Sequence, residues 1–335
     1  MRAAFGTTFD VPLGYLNTAS IGVPPAPTAT AVADAVRRWS TGADGPAAVD
    51  EHVTTARTAF GRLVGVPGDR VAMGASASQL VALVAAGLPA DASVLVARGE
   101  FTSLTFPFAA RGLRVTEVDL EEVPSAAPGH DLVAVSVVQS ADGRIVDLDA
   151  LRATGVPVLL DASQAVGWMP LRLDWADWVV AVGYKFLMSP RGCAWLACSP
   201  SALERTVPAA ANWFAGDDPW STVYGLPLRL APDARRLDLS PVWLSQYGAA
   251  TSLPYLASLD LADVRDHVVA LADSLLDGLG LPARGSAIVS LDLPGAGERL
   301  EAAGVRSSLR AGRVRLAFHL YNTAEDVDLV LAALR

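Results

Sequence analysis

Two short apolar runs constrain this chain most. Residues 157–161 (PVLLD) and 178–184 (WVVAVGY) are too short for helices, rich in branched aliphatic side chains, and closed by polar residues. Such runs form strands buried on both faces, as in a parallel sheet covered by helices. Asp161 ends the first run and Lys185 directly follows the second, one helix-or-loop crossover further along. Ligands of parallel α/β sheets bind beyond the carboxyl ends of the strands. Asp161 and Lys185 are therefore expected at one sheet edge, although an Asp there equally serves as a helix cap.

Lys185 also stands out on a count. Of 26 basic side chains, 25 are arginine and one is lysine. The bias reflects a GC-rich coding background, and a lysine retained under it is one that arginine cannot replace. Arginine stays protonated, whereas a lysine amine can lose its proton and attack a carbonyl. The count alone leaves a chance surface lysine open. The setting favours function: residues 193–199 (CAWLACS) read as the next strand, so Lys185 sits beside a tight Ser-Pro-Arg-Gly turn. A third element, RVAMGASASQLVALVAAGL, runs from a strand through Ala75, Ser76 and Ala77 into an apolar helix. Small residues at a helix start make a plain turn or, through free N–H groups and the dipole, a phosphate cradle.

Composition sets the outer limits. The length of 335 residues suggests two lobes, read as 1–235 and 236–335. Hydrophobic residues at 52% against 18% charged exclude a disordered chain. A net charge of −9 argues against nucleic-acid or anionic-membrane partners. Cys193 and Cys198 make neither a disulfide framework nor a four-ligand zinc set, and four scattered histidines show no metal spacing, so no metal is expected. The N-terminus has no apolar signal core and no run approaches a membrane span, which together suggest a cytoplasmic protein. Residues 31–40 and 48–65 read as amphipathic helices, and the last third as an α+β lobe. The Trp-rich loop 212–222 either lines a site or packs between subunits.

Taken in chain order, these segments resemble the fold-type-I pyridoxal-phosphate enzymes, specifically the aminotransferase class V group with its cysteine desulfurase-like and kynureninase-like members. The resemblance runs almost end to end: YLNTASIGVPP (15–25), GASAS (74–78), GEFTSLTFPFA (99–109), VVQSADGRIVDL (137–148), DASQ (161–164), GYKFL (183–187), RRLDLSPVW (235–243) and VRLAFHLYNT (314–323). The ordered set is more specific than any one motif. It implies an α/β fold with a mostly parallel central sheet in a large cofactor-binding domain, plus a smaller α+β C-terminal lobe. It implies pyridoxal 5'-phosphate as cofactor and a homodimer with the site at its interface.

The resemblance also implies roles. Lys185 would carry the cofactor as a Schiff base and serve as base at the substrate Cα. Asp161 would pair with the pyridine nitrogen and Gln164 with the ring oxygen, with Ser163 in the same motif. Ser76 and the N–H groups of Ala75 and Ala77 would hold the phosphate, joined by Tyr184 and, from the segment that reaches the partner's cofactor, Ser240. Phe101 takes the ring-stacking position, where it can stack but not move protons. Arg315 matches the carboxylate-binding arginine, with Arg313 and Arg310 close in sequence, and Asn17 and Ser140 border substrate or ring. The chain departs from desulfurases in lacking any cysteine after Cys198 and in having Val182 where a serine is common.

The expected activity is on an amino acid or amine, through an external aldimine and Cα deprotonation, with transamination first. A C–S β-elimination lyase without a persulfide cysteine is the alternative. A non-catalytic scaffold of the same fold is the rival of another class. A nucleotide-binding protein is disfavoured, since neither GxGxxG nor GxxxxGK[ST] occurs.

Overall fold

The apolar runs fold as strands because each, flanked by turn residues, can bury both faces at once. The computed structural model describes residues 1–335. An N-terminal hairpin, β1 (Arg2–Ala4) and β2 (Thr7–Phe9), leads into α1 (Ala26–Ser40) and α2 (Asp50–Val64). A seven-stranded sheet follows, built from β3 (Val71–Gly74), β4 (Ser93–Ala97), β5 (Arg114–Val118), β6 (Leu132–Ser136), β7 (Val158–Asp161), β8 (Trp178–Val182) and β9 (Ala194–Cys198). Helices α3 (Ala77–Gly87), α4 (Thr102–Ala110), α5 (Val123–Ala126), α6 (Leu148–Ala153) and α7 (Pro200–Arg205) connect or follow these strands.

The sheet order is β3-β9-β8-β7-β6-β4-β5. Strands β5, β4, β6, β7 and β8 run parallel, and β9 runs antiparallel to both β8 and β3. The central strands are buried throughout, while β5 alternates exposed and half-buried residues as a solvated edge strand should. The chain crosses from β5 over β4 to β6, so the order reverses between β4 and β6. That switch point opens a crevice at the carboxyl ends. Because β3 shares the direction of β8, the loops after β3, β4, β6, β7 and β8 all emerge at this one edge.

Helix α8 (Trp243–Ala257) packs on α1 and α2. The C-terminal part is a three-stranded antiparallel sheet, order β10-β12-β11, of β10 (Ile288–Leu291), β11 (Ser308–Arg310) and β12 (Arg313–Ala317). Helices α9 (Leu261–Gly278), α10 (Ala296–Ala302) and α11 (Ala324–Leu334) accompany it. The N-terminal segment joins the two sheets. Asn17 pairs with Ala317 at the end of β12, and the Gly22 N–H donates to the Tyr184 carbonyl at 2.9 Å. A Cβ at Gly22 would meet the Lys185 carbonyl, so glycine is required for this approach. The larger apolar core runs from Phe9 to Leu334 across both sheets, and a second, smaller one packs α3 and α4 against the seven-stranded sheet. No helix is long and apolar enough to cross a membrane.

Candidate active site

Lys185 lies in the turn just after β8 and is buried. Its Nζ makes no hydrogen bond, has no carboxylate within ion-pair distance, and sits 5.3 Å from the centroid of the Phe101 ring. Burial pulls its pKa down to about 8; the Asp161 charge opposes this, and Arg315, Arg310 and Arg191 add to it. A larger share of this amine is therefore an unprotonated nucleophile near neutral pH than in an ordinary lysine. Phe101 stays 43% exposed beside it, at the start of α4. The exposed Phe101 ring thus offers an aromatic face beside the buried amine.

Asp161 ends β7, adjacent to β8, and its Oδ1 accepts the Ser163 N–H at 2.8 Å. Ser163 is committed to structure: its Oγ accepts the Val182 N–H at 3.1 Å, tying the loop after β7 to β8. Gln164 donates from Nε2 to the Ala19 carbonyl and the Ser140 hydroxyl, both at 3.1 Å. Its Oε1 is buried without a partner, as is Oδ1 of Asn17. A buried acceptor left unpaired costs about 1–3 kcal/mol, so both carbonyls are suited to a ligand that donates hydrogen. Gln164 thus has its amide donor in use and its acceptor free.

The phosphate cradle differs in detail from expectation. Ser76 is the N-cap of α3, its Oγ accepting the Gln79 N–H at 3.4 Å. The Ala75 N–H, expected to face phosphate, instead donates to the Gln79 side chain at 3.1 Å, because that side chain folds back over its own helix start. The N–H groups of Ser76, Ala77 and Ser78 carry no partner and point the cradle's donors one residue later. Tyr184 stacks under the Arg191 guanidinium at 4.9 Å and, with Ser20, Gly22 and Arg191, lines a cleft of about 520 Å³ between α1 and the Lys185 turn. Ser240 is exposed.

Of the three C-terminal arginines, Arg315 is the buried one. Its Nη1 donates to the Ser140 carbonyl and hydroxyl at 2.5 and 3.1 Å, its Nη2 to the Ser20 hydroxyl at 2.9 Å, and its Nε to the Ser308 hydroxyl at 3.2 Å. Burial, with the nearby Arg310 charge, pulls its pKa down to about 10. Arg313 lies at the solvent end of the strand, paired with Asp292 at 3.4 Å.

Several neighbours escaped the sequence reading. Glu100, directly before Phe101, is a buried carboxyl accepting from the Ser136 N–H and hydroxyl at 2.7 and 2.5 Å and from the Gln139 amide at 2.6 Å. Burial raises its pKa. It fixes the loop after β6 that carries Ser140. Its place next to Phe101 was the only signal, and a lone Glu in a strand-end loop reads as solvated. His319 packs behind the site, its Nε2–H donating to the Phe186 carbonyl over 3.0 Å, and burial pulls its pKa down to about 3. The loop 212–222 makes its contacts with Asp50 and Asp238 rather than with Lys185. No group of three or more His, Cys, Asp or Glu side chains is placed to hold a metal.

The family model for aminotransferase class-V matches residues 47–286. The chain belongs to the aminotransferase class-V family. It is a pyridoxal-phosphate-dependent enzyme, with the α/β fold of that class. The chain is 27% identical over 313 residues to the uncharacterized aminotransferase YcbU of Bacillus subtilis (strain 168), covering 83% of this chain and 81% of that one. It is 29% identical over 182 residues to isopenicillin N epimerase of Streptomyces clavuligerus, covering 47% and 46%. Among solved structures, the cystine C-S lyase C-DES in complex with its product cysteine persulfide superposes with a TM-score of 0.85 at 18% identity over 97% of each chain, and an apo cysteine desulfurase from Thermococcus onnurineus NA1 with a TM-score of 0.82 at 19% identity over 96% of this chain and 93% of that one.

Proposed function

We propose that this class-V enzyme is an aminotransferase acting on a carboxylate-bearing amino acid, with Lys185 as the residue that carries the cofactor. The observation that carries the reading is the Lys185 amine: buried, unpaired, depressed to about pH 8, under Phe101 and within the field of Asp161. The residues present fit pyridoxal phosphate. There is an amine for its aldehyde, a buried carboxylate for its ring nitrogen, an aromatic face for its ring, orphaned acceptors at Gln164 and Asn17, and free amides at the start of α3 for its phosphate. When bound, the cofactor supplies an electron sink for the pair released at the substrate Cα.

The chain's own residues do the remainder. Asp161 would pair with the ring nitrogen and favour its protonated form, which would strengthen that sink. Lys185 would hold the cofactor aldehyde, and its amine would take the Cα proton and return it elsewhere. Phe101 holds the ring plane and, unlike histidine, exchanges no proton with substrate. Arg315 receives the substrate carboxylate in its planar fork. Ser240, exposed beside the half-exposed apolar residues Val242 and Trp243, is assigned to the partner's cofactor phosphate in a homodimer.

A second reading, C–S β-elimination, draws on the likeness to the cystine lyase. It does not extend to persulfide transfer by a protein thiol, because burial pushes both Cys193 and Cys198 up to about 12. The test is acceptor dependence. Turnover of amino acids is expected only when a keto acid is supplied. Release of pyruvate and ammonia without an acceptor would replace transamination with elimination.

A further inference from the structure

Arg315 does not stand alone. Arg310, on the neighbouring edge strand β11, donates from Nη2 to the same Ser20 hydroxyl, at 3.2 Å against 2.9 Å for Arg315. The two guanidinium groups therefore converge within the reach of one oxygen. Neither is in an ion pair, although the chain carries nine more acidic than basic side chains. The remaining Arg310 contact is with the Leu309 carbonyl. Arg315 is 1% exposed and Arg310 half-buried, so one cation sits deep and the other nearer solvent. The Arg310 charge lowers the pKa of Arg315, and both arginines lower that of Lys185, the electrostatic mark of like charges held together.

Holding two unpaired cations side by side, one fully buried, is costly unless an anion completes the cluster. The cofactor phosphate is not that anion. Its cradle follows β3, whereas the arginines meet the loop after β6, four positions across the sheet. Ser20 lies on the wall of the cleft between α1 and the Lys185 turn, so the hydroxyl that both guanidinium groups share borders that cleft. Arg191, at the same cleft, is a third cation without an acidic partner.

We infer that the substrate is a dicarboxylic amino acid: Arg315 takes the α-carboxylate and Arg310 the side-chain carboxylate, with the Ser20 hydroxyl bridging the two. This rests on the reading of Lys185 and Arg315 given above and adds the substrate class. A lone α-carboxylate would need the buried fork only, and would leave Arg310 uncompensated.

The test is calorimetric titration of the cofactor-loaded protein with succinate and with propionate, which differ by one carboxylate. Succinate is expected to bind at least tenfold more tightly. Arg310→Gln is expected to lower succinate affinity about tenfold while shifting propionate less than threefold, and Arg310→Lys to restore part of the difference. Steady-state kinetics should agree, with Arg310→Gln raising KM for aspartate or glutamate far more than for alanine and changing kcat little. Equal affinity for the two acids, or equal weakening of both by Arg310→Gln, would overturn the inference and mean that both arginines grip a single carboxylate. Failure of the cofactor to attach at Lys185 is read separately, by absorbance. It would count against the catalytic reading while the succinate-to-propionate ratio still decides the role of Arg310.

Discussion

Two buried arginines of this protein show how differently one residue type can be used. Arg57, on α2, meets Asp238 through two hydrogen bonds at 3.1 and 2.5 Å and also donates to the Val71 carbonyl. The same carboxylate accepts the Met73 N–H at 2.8 Å, so the pair anchors the chain before α8 to β3. Its charges are balanced and its donors used: it is a finished structural joint. Arg315 is as deeply buried, yet its donors go to hydroxyls and a carbonyl, and its nearest charged neighbour is another cation. A buried ion pair contributes little net stability but is expensive to break on one side, whereas an uncompensated cation weakens the fold and awaits an anion. The difference separates scaffold from site without reference to any relative.

That comparison can be broken. Asp238→Asn leaves Arg57 buried and unpaired, the condition in which Arg315 already exists, and should lower the unfolding free energy by about 3–5 kcal/mol in denaturant titration. Arg315→Gln should do the reverse. Unfolding free energy should hold or rise, while KM for amino-acid substrates increases about 100-fold, or near 3 kcal/mol of lost charge-assisted binding. Equal destabilisation by the two substitutions would erase the distinction.

Lys185 sharpens it as a third buried cation. With its folded pKa near 8 and an unfolded value in the ordinary lysine range, the unfolded chain holds a proton that the folded chain has released. Stability of the cofactor-free protein should therefore rise with pH across that window. Relative to Lys185→Met, the gain from pH 8 to 10 should be roughly 2 kcal/mol, measured by denaturant unfolding at each pH. The smallest effect is expected at Ser140, which accepts from Arg315 and from Gln164. Ser140→Ala should raise KM about fivefold, near 1 kcal/mol for a lost hydrogen bond, with kcat little changed.

What was legible in the sequence was local. The runs at β7 and β8 announced a parallel sheet because burial on both faces leaves an unbroken apolar string, and the solitary lysine marked the strand end that matters. The small-residue turn at Ser76 was visible because it lies within one turn, although its capping contact with Gln79 was not read. The Ala75 N–H was misassigned for the same local reason: Gln79, one turn on, competes for it, and spacing alone does not say which acceptor wins. The partnership of Arg315 with Arg310 and Ser20 was not legible. It arises where a segment from the N-terminus crosses the C-terminal sheet, and sequence distance conceals such contacts. Glu100 was hidden for a related reason, since its partners Ser136 and Gln139 come from the next parallel strand but one.

The central claim is that the single lysine of this chain carries the cofactor, and borohydride reduction followed by intact-mass measurement tests it directly. The protein incubated with pyridoxal phosphate should be yellow and, after reduction, carry one phosphopyridoxyl group, mapped to the peptide holding Lys185 and absent from Lys185→Ala. A colourless protein, or an adduct that persists in Lys185→Ala at the N-terminal amine, would contradict it.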